Sequence, residues 1–353
     1  MKKNQLLLNR ICVLMTCFIV CISCSRSTDE YNAPIFKETI EVALEVLNDD
    51  ISFTYGTIDC VDTLLIISNK TTLNKNTFHI FSANSGKYIK SFGSVGRGPG
   101  ETLFTAPNFS TDYNNSRMYV YDTPLHKLIE YDISKVLNGD VHYASDIKME
   151  EDNGHILTSR FYSLDDRLFL WVDQRFVIGS TSNIISCYGS YPRLDEPEEY
   201  KKLERSYFDR LSYTRVSPNK SKFAHATYSG CILETFSCIN NTITPIAINR
   251  LYRPIYENKY KNENYPHVFQ SNKAICGIKN LACTDEYIYA TYSDIPKECS
   301  YKSIAVFDWN CQPVKLLSFE DKIQYMYVLS GDKAGFALAE REDGIVYLAR
   351  FEL

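Results

Sequence analysis

A strand–turn–strand pattern recurs near both ends of the chain, and it restricts the fold more than any other feature. Residues 117–122 are followed after a short turn by residues 127–132, and residues 303–308 are followed in the same way by residues 313–319. Three of these four strands end in an aromatic residue followed by Asp. A single pair of short strands cannot bury its apolar side chains, so many such pairs must pack together.

Further short strands fill the rest of the chain and are separated by turn signals. The 26 Tyr and 19 Phe residues also favour strands over helices. The additional strands that we expect are 63–68, 77–82, 88–92, 167–172, 175–179, 222–228, 231–236, 287–292, 334–338 and 346–351. The sequence therefore predicts an all-β protein.

The spacing of the strands favours a β-propeller over other all-β folds. Neither a linker nor a low-complexity segment interrupts the chain after residue 35, and a period of about 50 residues divides this length into six blades. A sandwich or a pair of barrels is the alternative; radial repetition is preferred because it protects sheet edges. We expect residues 40–46 to form a strand that closes the ring by pairing with residues 346–351.

A glycine-rich loop follows the expected strand 88–92. Residues 86–101 read Gly-Lys-Tyr-Ile-Lys-Ser-Phe-Gly-Ser-Val-Gly-Arg-Gly-Pro-Gly-Glu, and the glycines and proline cannot continue a helix or a central strand. This stretch resembles the first-blade signature of the six-bladed, TolB-like or NHL-like propeller lipoproteins of bacterial envelopes. Residues 217–223 resemble, more weakly, the strand-opening turn of a later blade. The resemblance implies a fold and an envelope location, but no established chemistry.

The N-terminus has the pattern of a signal peptide. Residues 1–23 carry Lys2, Lys3 and Arg10, no acidic residue, and an apolar run that is too short to span a bilayer. The run ends at Cys24, in a context that resembles a bacterial lipobox and implies lipidation of this cysteine; ordinary secretion with cleavage nearby is the alternative. We therefore expect a signal peptide over 1–23, a lipidated tether over 24–34 and a propeller over 35–353. This organisation predicts attachment to the outer membrane, on its periplasmic or cell-surface face.

One segment departs from the strand pattern. Residues 195–210 space their apolar side chains as an amphipathic helix does, and Pro197 suits the first turn of such a helix. This predicts one short helical insertion, which either packs on a rim of the ring or covers the mouth of its channel.

Charge and cysteine usage exclude several functions. The net charge is −5 and becomes more negative after the signal peptide is removed, so the chain lacks the clustered cations that bind nucleic acid. The six histidines are dispersed and no Cys-x-x-Cys occurs after Cys24, so the domain that follows shows the pattern of neither a zinc site nor a thioredoxin-like motif. Disulfide pairing stays open, with Cys299 and Cys311 as the best pair because they flank a hairpin. The cysteines after the signal region and Cys24 are Cys60, Cys187, Cys231, Cys238, Cys276, Cys283, Cys299 and Cys311.

Catalytic motifs are absent from the sequence, and no cofactor is predicted. Arg97 and Glu101 are the charged residues of the glycine-rich loop; they either pair with a neighbouring blade or contact a ligand at the channel mouth. Asp122, Asp132 and Asp308 either cap turns or converge on a metal. We therefore predict an envelope module that binds or scaffolds a protein, peptide or glycan. The alternative is a metal-dependent hydrolase or lyase with its site in the central channel.

Overall fold

The structure is a computed structural model that describes part of the chain. Described residues are 31–50, 53, 56–68, 76–103, 109–112, 115–140, 143–148, 160–165, 167–172, 175–192, 212–228, 231–253, 255–258, 268–271, 273–296 and 300–353. Within these ranges the chain has no helix long and apolar enough to cross a membrane.

Six antiparallel sheets follow one another along the chain as the blades of a propeller, which confirms the predicted fold. Blades 1 to 3 are formed by β3 (Ile58–Val61), β4 (Leu64–Ser68), β5 (Asn76–Ser82), β6 (Tyr88–Ser94); β7 (Phe109–Asp112), β8 (Arg117–Asp122), β9 (Lys127–Asp132), β10 (Ala144–Lys148); and β11 (Phe161–Asp165), β12 (Leu168–Trp171), β13 (Phe176–Gly179), β14 (Ile184–Tyr188). Blades 4 to 6 are formed by β15 (Ser212–Val216), β16 (Lys222–Thr227), β17 (Ile232–Ile239), β18 (Thr242–Arg250); β21 (Ile275–Cys283), β22 (Tyr287–Pro296), β23 (Ser303–Asp308), β24 (Pro313–Ser318); and β25 (Lys322–Val328), β26 (Ala334–Glu340), β27 (Val346–Glu352).

The N-terminal segment closes the ring, but as two strands where one was expected. β2 (Glu45–Asn48) pairs antiparallel with β27, with Val46 opposite Ala349, and this confirms the predicted closure of blade 6. β1 (Thr39–Glu41) pairs parallel with β24 and adds a fifth strand to blade 5. The segment forms two short strands because residues 42–44 pass from blade 5 to blade 6. A separate hairpin, β19 (Tyr256–Asn258) with β20 (Val268–Gln270), lies between blades 4 and 5 in sequence.

The core is a ring of apolar layers between neighbouring blades. Phe78 and Phe92 of blade 1 pack against Tyr131 of blade 2, and Phe176 of blade 3 packs against Phe223 of blade 4. The described residues form six such clusters, one at each blade interface. The middle strands of the blades supply most of these side chains, which is why apolar patterning revealed these strands in the sequence.

One short helix is present among the described residues, at a place that the sequence did not predict. α1 (Ile133–Asn138) follows β9; the Asp132 side chain accepts a hydrogen bond from the Lys135 N–H, and Gly139 ends the helix at φ 78°. The helix expected over 195–210 lies outside the described residues.

The proposed Cys299–Cys311 disulfide is wrong, because Cys311 is a free thiol. Cys311 is buried between blades 4 and 5, where its Sγ lies 3.6 Å from the Leu233 carbonyl oxygen. It therefore packs as a small apolar residue with a weak hydrogen bond. Cys276 is disulfide-bonded.

Candidate ligand-binding site in the central channel

A cavity of about 450 Å³ occupies one end of the central channel. The first strand of every blade contributes to its wall, together with the turns that lead from the first strand to the second in blades 1, 4, 5 and 6. Its polar and charged lining comprises Asp59, Asp62, Ser110, Thr111, Tyr162, Ser163, Arg215, Ser217, Asn219, Lys220, Asp285, Tyr327 and Ser330. The volume lies in the range of about 300–1,000 Å³ that small-ligand pockets have.

Lys220 enters this cavity from the turn between β15 and β16. The turn begins at Ser217, whose carbonyl oxygen accepts a hydrogen bond from the Lys220 N–H at 2.9 Å, and Pro218 suits its second position. Lys220 then takes φ 62°, a left-handed conformation that costs a residue with a β-carbon roughly 1–2 kcal/mol. Glycine or asparagine is usual at this position of a hairpin, so the backbone is strained here.

The Lys220 turn is tied to blade 5. The Asn219 N–H donates to Asp285 Oδ1 at 3.0 Å, and Lys222 Nζ donates to the Asp285 carbonyl oxygen at 2.9 Å. Asn219 Oδ1 in turn accepts from the Ser221 N–H at 2.9 Å. These bonds hold the turn, and therefore the start of the Lys220 side chain, in one place.

The ammonium group of Lys220 forms no hydrogen bond or ion pair with the described residues. Burial lowers the pKa of Lys220 from its ordinary value of 10.5, and the carboxylates of Asp59 and Asp112 oppose this effect. Asp59 belongs to blade 1 and Asp112 to blade 2, so the charge of Lys220 acts across the channel. A desolvated cation with open donors is a typical ligand contact.

Asp59 and Arg215 complete a cluster of charges around the same space. The guanidinium of Arg215 is held by Nε, which donates to the Leu281 carbonyl oxygen at 3.1 Å, while Nη1 lies 3.9 Å from Asp59 Oδ2. Asp59 Oδ1 accepts from the Cys60 N–H at 2.9 Å. The Tyr162 ring lies 6.0 Å from the guanidinium carbon of Arg215 and adds an aromatic surface.

The two thiols of the cavity are not activated as nucleophiles. Burial, with help from Asp59 and Asp62, raises the pKa of Cys60 to about 12, and burial raises that of Cys283 to about 12, so both thiols stay protonated at neutral pH. None of the described residues that line the cavity is a histidine. The described part of the chain also has no group of three or more side chains arranged to hold a metal ion.

Comparison with known proteins places this propeller in a family. A sequence profile of the TolB-like 6-blade propeller-like family matches residues 36–330. The chain belongs to this family. No curated protein sequence matches it.

Two solved structures are similar to this TolB-like propeller. A putative exported protein from Bacteroides fragilis NCTC 9343 has 15% identity and a TM-score of 0.54, and the match covers 89% of this chain and 98% of that one. A member of the DUF4221 family from Bacteroides vulgatus ATCC 8482 has 12% identity and a TM-score of 0.55, with 88% and 97% covered. At such identities the likeness shows the fold alone.

The glycine-rich loop that carries the family resemblance joins blades 1 and 2 of the TolB-like propeller. Glu101 accepts hydrogen bonds from the Gly98 N–H at 2.7 Å and from the Ser94 hydroxyl at 3.1 Å, and these bonds lower its pKa. Lys127 of blade 2 donates to the Gly98 carbonyl oxygen at 3.2 Å. Gly93 is required because its φ is +70° and a β-carbon there would lie 2.7 Å from the Phe78 ring.

Arg97 and Glu101 do not line the channel cavity. The Arg97 side chain is exposed and forms no hydrogen bond or ion pair with the described residues, whereas Glu101 is engaged within its own loop, where it also accepts from the Arg97 N–H. A ligand contact by either residue stays a prediction. Cys24, the expected lipidation site, lies outside the described residues.

The three aspartates of the metal hypothesis each cap a separate turn. Asp122 accepts from the Leu103 and Leu125 N–H groups at 2.6 and 3.1 Å, and Asp308 accepts from the Gln312 N–H at 2.8 Å. Asp132 caps α1. The structure therefore does not bring these carboxylates together.

The residues of the cavity were not predicted from the sequence. Asp59, Arg215 and Tyr162 lie on first strands, which are short and mix polar with apolar residues, so strand patterning did not reveal them. Lys220 falls within the stretch 217–223, which was noticed as a turn. Its position directly after Pro218-Asn219 was the one available signal of a left-handed residue.

Proposed function

We propose that this TolB-like propeller is a lipid-anchored binding module of the cell envelope, and that its central cavity binds a protein, peptide or glycan. The observation that carries the proposal is the ammonium of Lys220, which has no hydrogen-bond or ion-pair partner among the described residues and lies in a cavity to which all six blades contribute. A strained backbone and a desolvated charge both reduce stability, and such features concentrate at sites where a ligand uses them.

Binding in the cavity is tested by ligand-induced stabilisation. A ligand that binds only the folded state raises the melting temperature, so fractionated envelope extract is added to the wild type and to Lys220→Met. Lys333→Met serves as the matched control, because Lys333 is an exposed lysine on the corresponding turn of blade 6. We expect a fraction that stabilises the wild type and Lys333→Met, but not Lys220→Met. Equal stabilisation of all three proteins would show that the cavity is not the site.

The membrane anchor is proposed from the N-terminal sequence. Its support is the short apolar run that precedes Cys24, together with the similar fold of the protein from Bacteroides fragilis whose name describes it as a putative exported protein. We expect an alkyne-labelled fatty acid to be incorporated into the wild type and into Cys12→Ala, which lies outside the lipobox-like sequence, and Cys24→Ser to lose both the label and membrane fractionation. Retention of the label by Cys24→Ser would contradict the assignment.

A further inference from the structure

The charges that line the channel cavity disfavour a strongly charged ligand. Three carboxylates, Asp59, Asp62 and Asp285, are interspersed with two cations, Arg215 and Lys220. An anion that approaches Lys220 is repelled by Asp59, and a cation that approaches Asp59 is repelled by Lys220. Such a surface favours an uncharged ligand that donates and accepts hydrogen bonds in close alternation.

Open hydrogen-bonding capacity is concentrated between Asp59 and the two cations. Asp59 Oδ2 lies 3.9 Å from Arg215 Nη1, which is beyond hydrogen-bonding distance, and no hydrogen bond joins it to Lys220. Backbone contacts hold all three residues in place: Asp59 through the Cys60 N–H, Arg215 through the Leu281 carbonyl, and Lys220 through its turn. The groups therefore do not collapse onto one another.

A hydroxyl group can form hydrogen bonds with Asp59 and with one of the two cations at the same time. Its hydrogen is donated to Asp59 Oδ2, and its oxygen accepts from Lys220 Nζ or Arg215 Nη1. Two neighbouring hydroxyls would use Asp59 and both cations together. The Tyr162 ring in the same wall offers an apolar surface for the C–H face of a sugar ring.

We propose that the cavity recognises a neutral saccharide through neighbouring hydroxyl groups, which bridge Asp59 to Lys220 and Arg215. This inference rests on the proposed function and names the chemical class of the ligand. The saccharide is either free or the exposed end of a glycan, since both present the same hydroxyl pair.

The test uses the purified protein and ligands matched in size but not in charge. Neutral sugars (glucose, galactose, mannose, N-acetylglucosamine and their disaccharides) are compared with glucuronic acid, glucosamine and tri-alanine by saturation-transfer NMR and calorimetry. We expect a neutral sugar to bind more tightly than its charged counterparts. Deoxy analogues that lack one hydroxyl of the pair should bind at least about tenfold more weakly, which tests the contact without altering the protein.

Protein variants locate the site. Lys220→Met and Asp59→Asn should each weaken binding of the best sugar by at least about tenfold, whereas Lys333→Met should leave it unchanged. A glycan array carrying the same sugars as end groups then separates a glycan terminus from a free sugar: binding to both supports the hydroxyl-pair assignment.

Three outcomes would overturn the inference, and they differ in whether the proposed function is rejected with it. Tighter binding of glucuronic acid that Lys220→Met abolishes would replace the saccharide by an anionic ligand, and the same result with tri-alanine would replace it by a peptide; both leave the cavity as the site. Failure of every sugar, while envelope extract still stabilises the wild type but not Lys220→Met, would also reject only the ligand class. Sugar binding that both cavity variants leave intact would reject the inference and the proposed function together.

Discussion

Lys220 combines two unfavourable features at one residue. Its backbone is left-handed at φ 62°, and its ammonium is desolvated without a hydrogen-bonding partner among the described residues. A position that served the fold alone would favour Gly or Asn. The residue that weakens the fold is therefore the one that we propose contacts the ligand, as expected when stability and binding compete.

Replacing Lys220 should stabilise the protein. Glycine adopts φ 62° without strain, so Lys220→Gly should raise the free energy of unfolding by about 1 kcal/mol, measured by urea denaturation. Lys220→Met keeps the β-carbon and removes only the charge, so the difference between the two variants isolates the backbone strain. A loss of stability in Lys220→Gly would show that the ammonium supports the fold.

His79 should make stability depend on pH. Burial lowers its pKa from the ordinary value of 6.5, and Nδ1 forms a hydrogen bond with the Ser91 hydroxyl at 3.1 Å. Because the unfolded state then binds the proton first, the free energy of unfolding should fall as pH drops below about 6.5 and level off below the folded-state pKa. Denaturation midpoints measured between pH 7.5 and 5 should decline less for His79→Gln than for the wild type.

An exposed histidine provides the control for this pH effect. His126 lies in the turn between β8 and β9 at φ 47°, and Asn is compatible with that conformation. His126→Asn should follow the wild-type pH profile. If His79→Gln and the wild type gave parallel profiles, His79 would not be the group responsible.

At the scale of the elements, a buried ion pair links blades 3 and 4. Arg175 Nη2 lies 2.6 and 2.8 Å from the two carboxylate oxygens of Glu234, and the two side chains are only 1% and 8% exposed. Arg175 also donates from Nε to the Ser190 carbonyl oxygen at 2.9 Å. Removal of one partner would leave the other charge buried without its hydrogen-bonded counter-charge.

Arg175→Met should therefore destabilise the protein by about 3–5 kcal/mol, and Arg175→Met combined with Glu234→Leu should be less destabilised than the single variant. Urea denaturation of both proteins and of Glu234→Leu gives the coupling between the two sites. Lys302→Met is the control, because its pair with Glu342 is exposed and should contribute less than about 1 kcal/mol. Additive effects of the two substitutions would show that the pair contributes no coupling.

The elements also show what could be predicted from the sequence. The middle strands β8, β9 and β23 appear with their predicted bounds, because buried strands carry a continuous apolar signal. The first strands were not predicted: β7 reads Phe-Ser-Thr-Asp and β15 reads Ser-Tyr-Thr-Arg-Val. They face a polar channel, so their sequences lack the alternation of a half-buried strand. Their polar residues, which line the proposed ligand site, are therefore the reason why these strands could not be predicted from the sequence.

For the whole molecule, sequence patterning predicted the number of blades, while the site depends on how the blades meet. Asp59, Tyr162 and Arg215 belong to blades 1, 3 and 4 and lie far apart in the sequence. Only closure of the ring brings these residues to one cavity, and no local sequence motif predicts that they lie close together. The cavity geometry should therefore depend on the strands that complete the ring.

Ring closure depends on the N-terminal strands. β2 supplies the outer strand of blade 6, β1 extends blade 5, and Phe36 packs against Tyr292 and Phe307 at centroid distances of 6.0 Å. A chain that begins at Asp49 would lack these contacts and leave the edge of β27 unpaired.

This truncated chain should unfold at a lower urea concentration than the full chain and in more than one step, because blades 5 and 6 separate from the rest once the ring is open. Circular dichroism and tyrosine fluorescence, recorded on the same samples, would detect the loss of a single transition. A peptide of residues 31–48 added in excess should restore the midpoint by pairing with β27, whereas the same peptide with Val46→Pro should not, since proline at this central position disrupts the strand pairing. Unfolding of the truncated chain in one step at the wild-type midpoint would mean that the propeller is held by its blade interfaces alone, and that the terminal strands serve only to protect an edge.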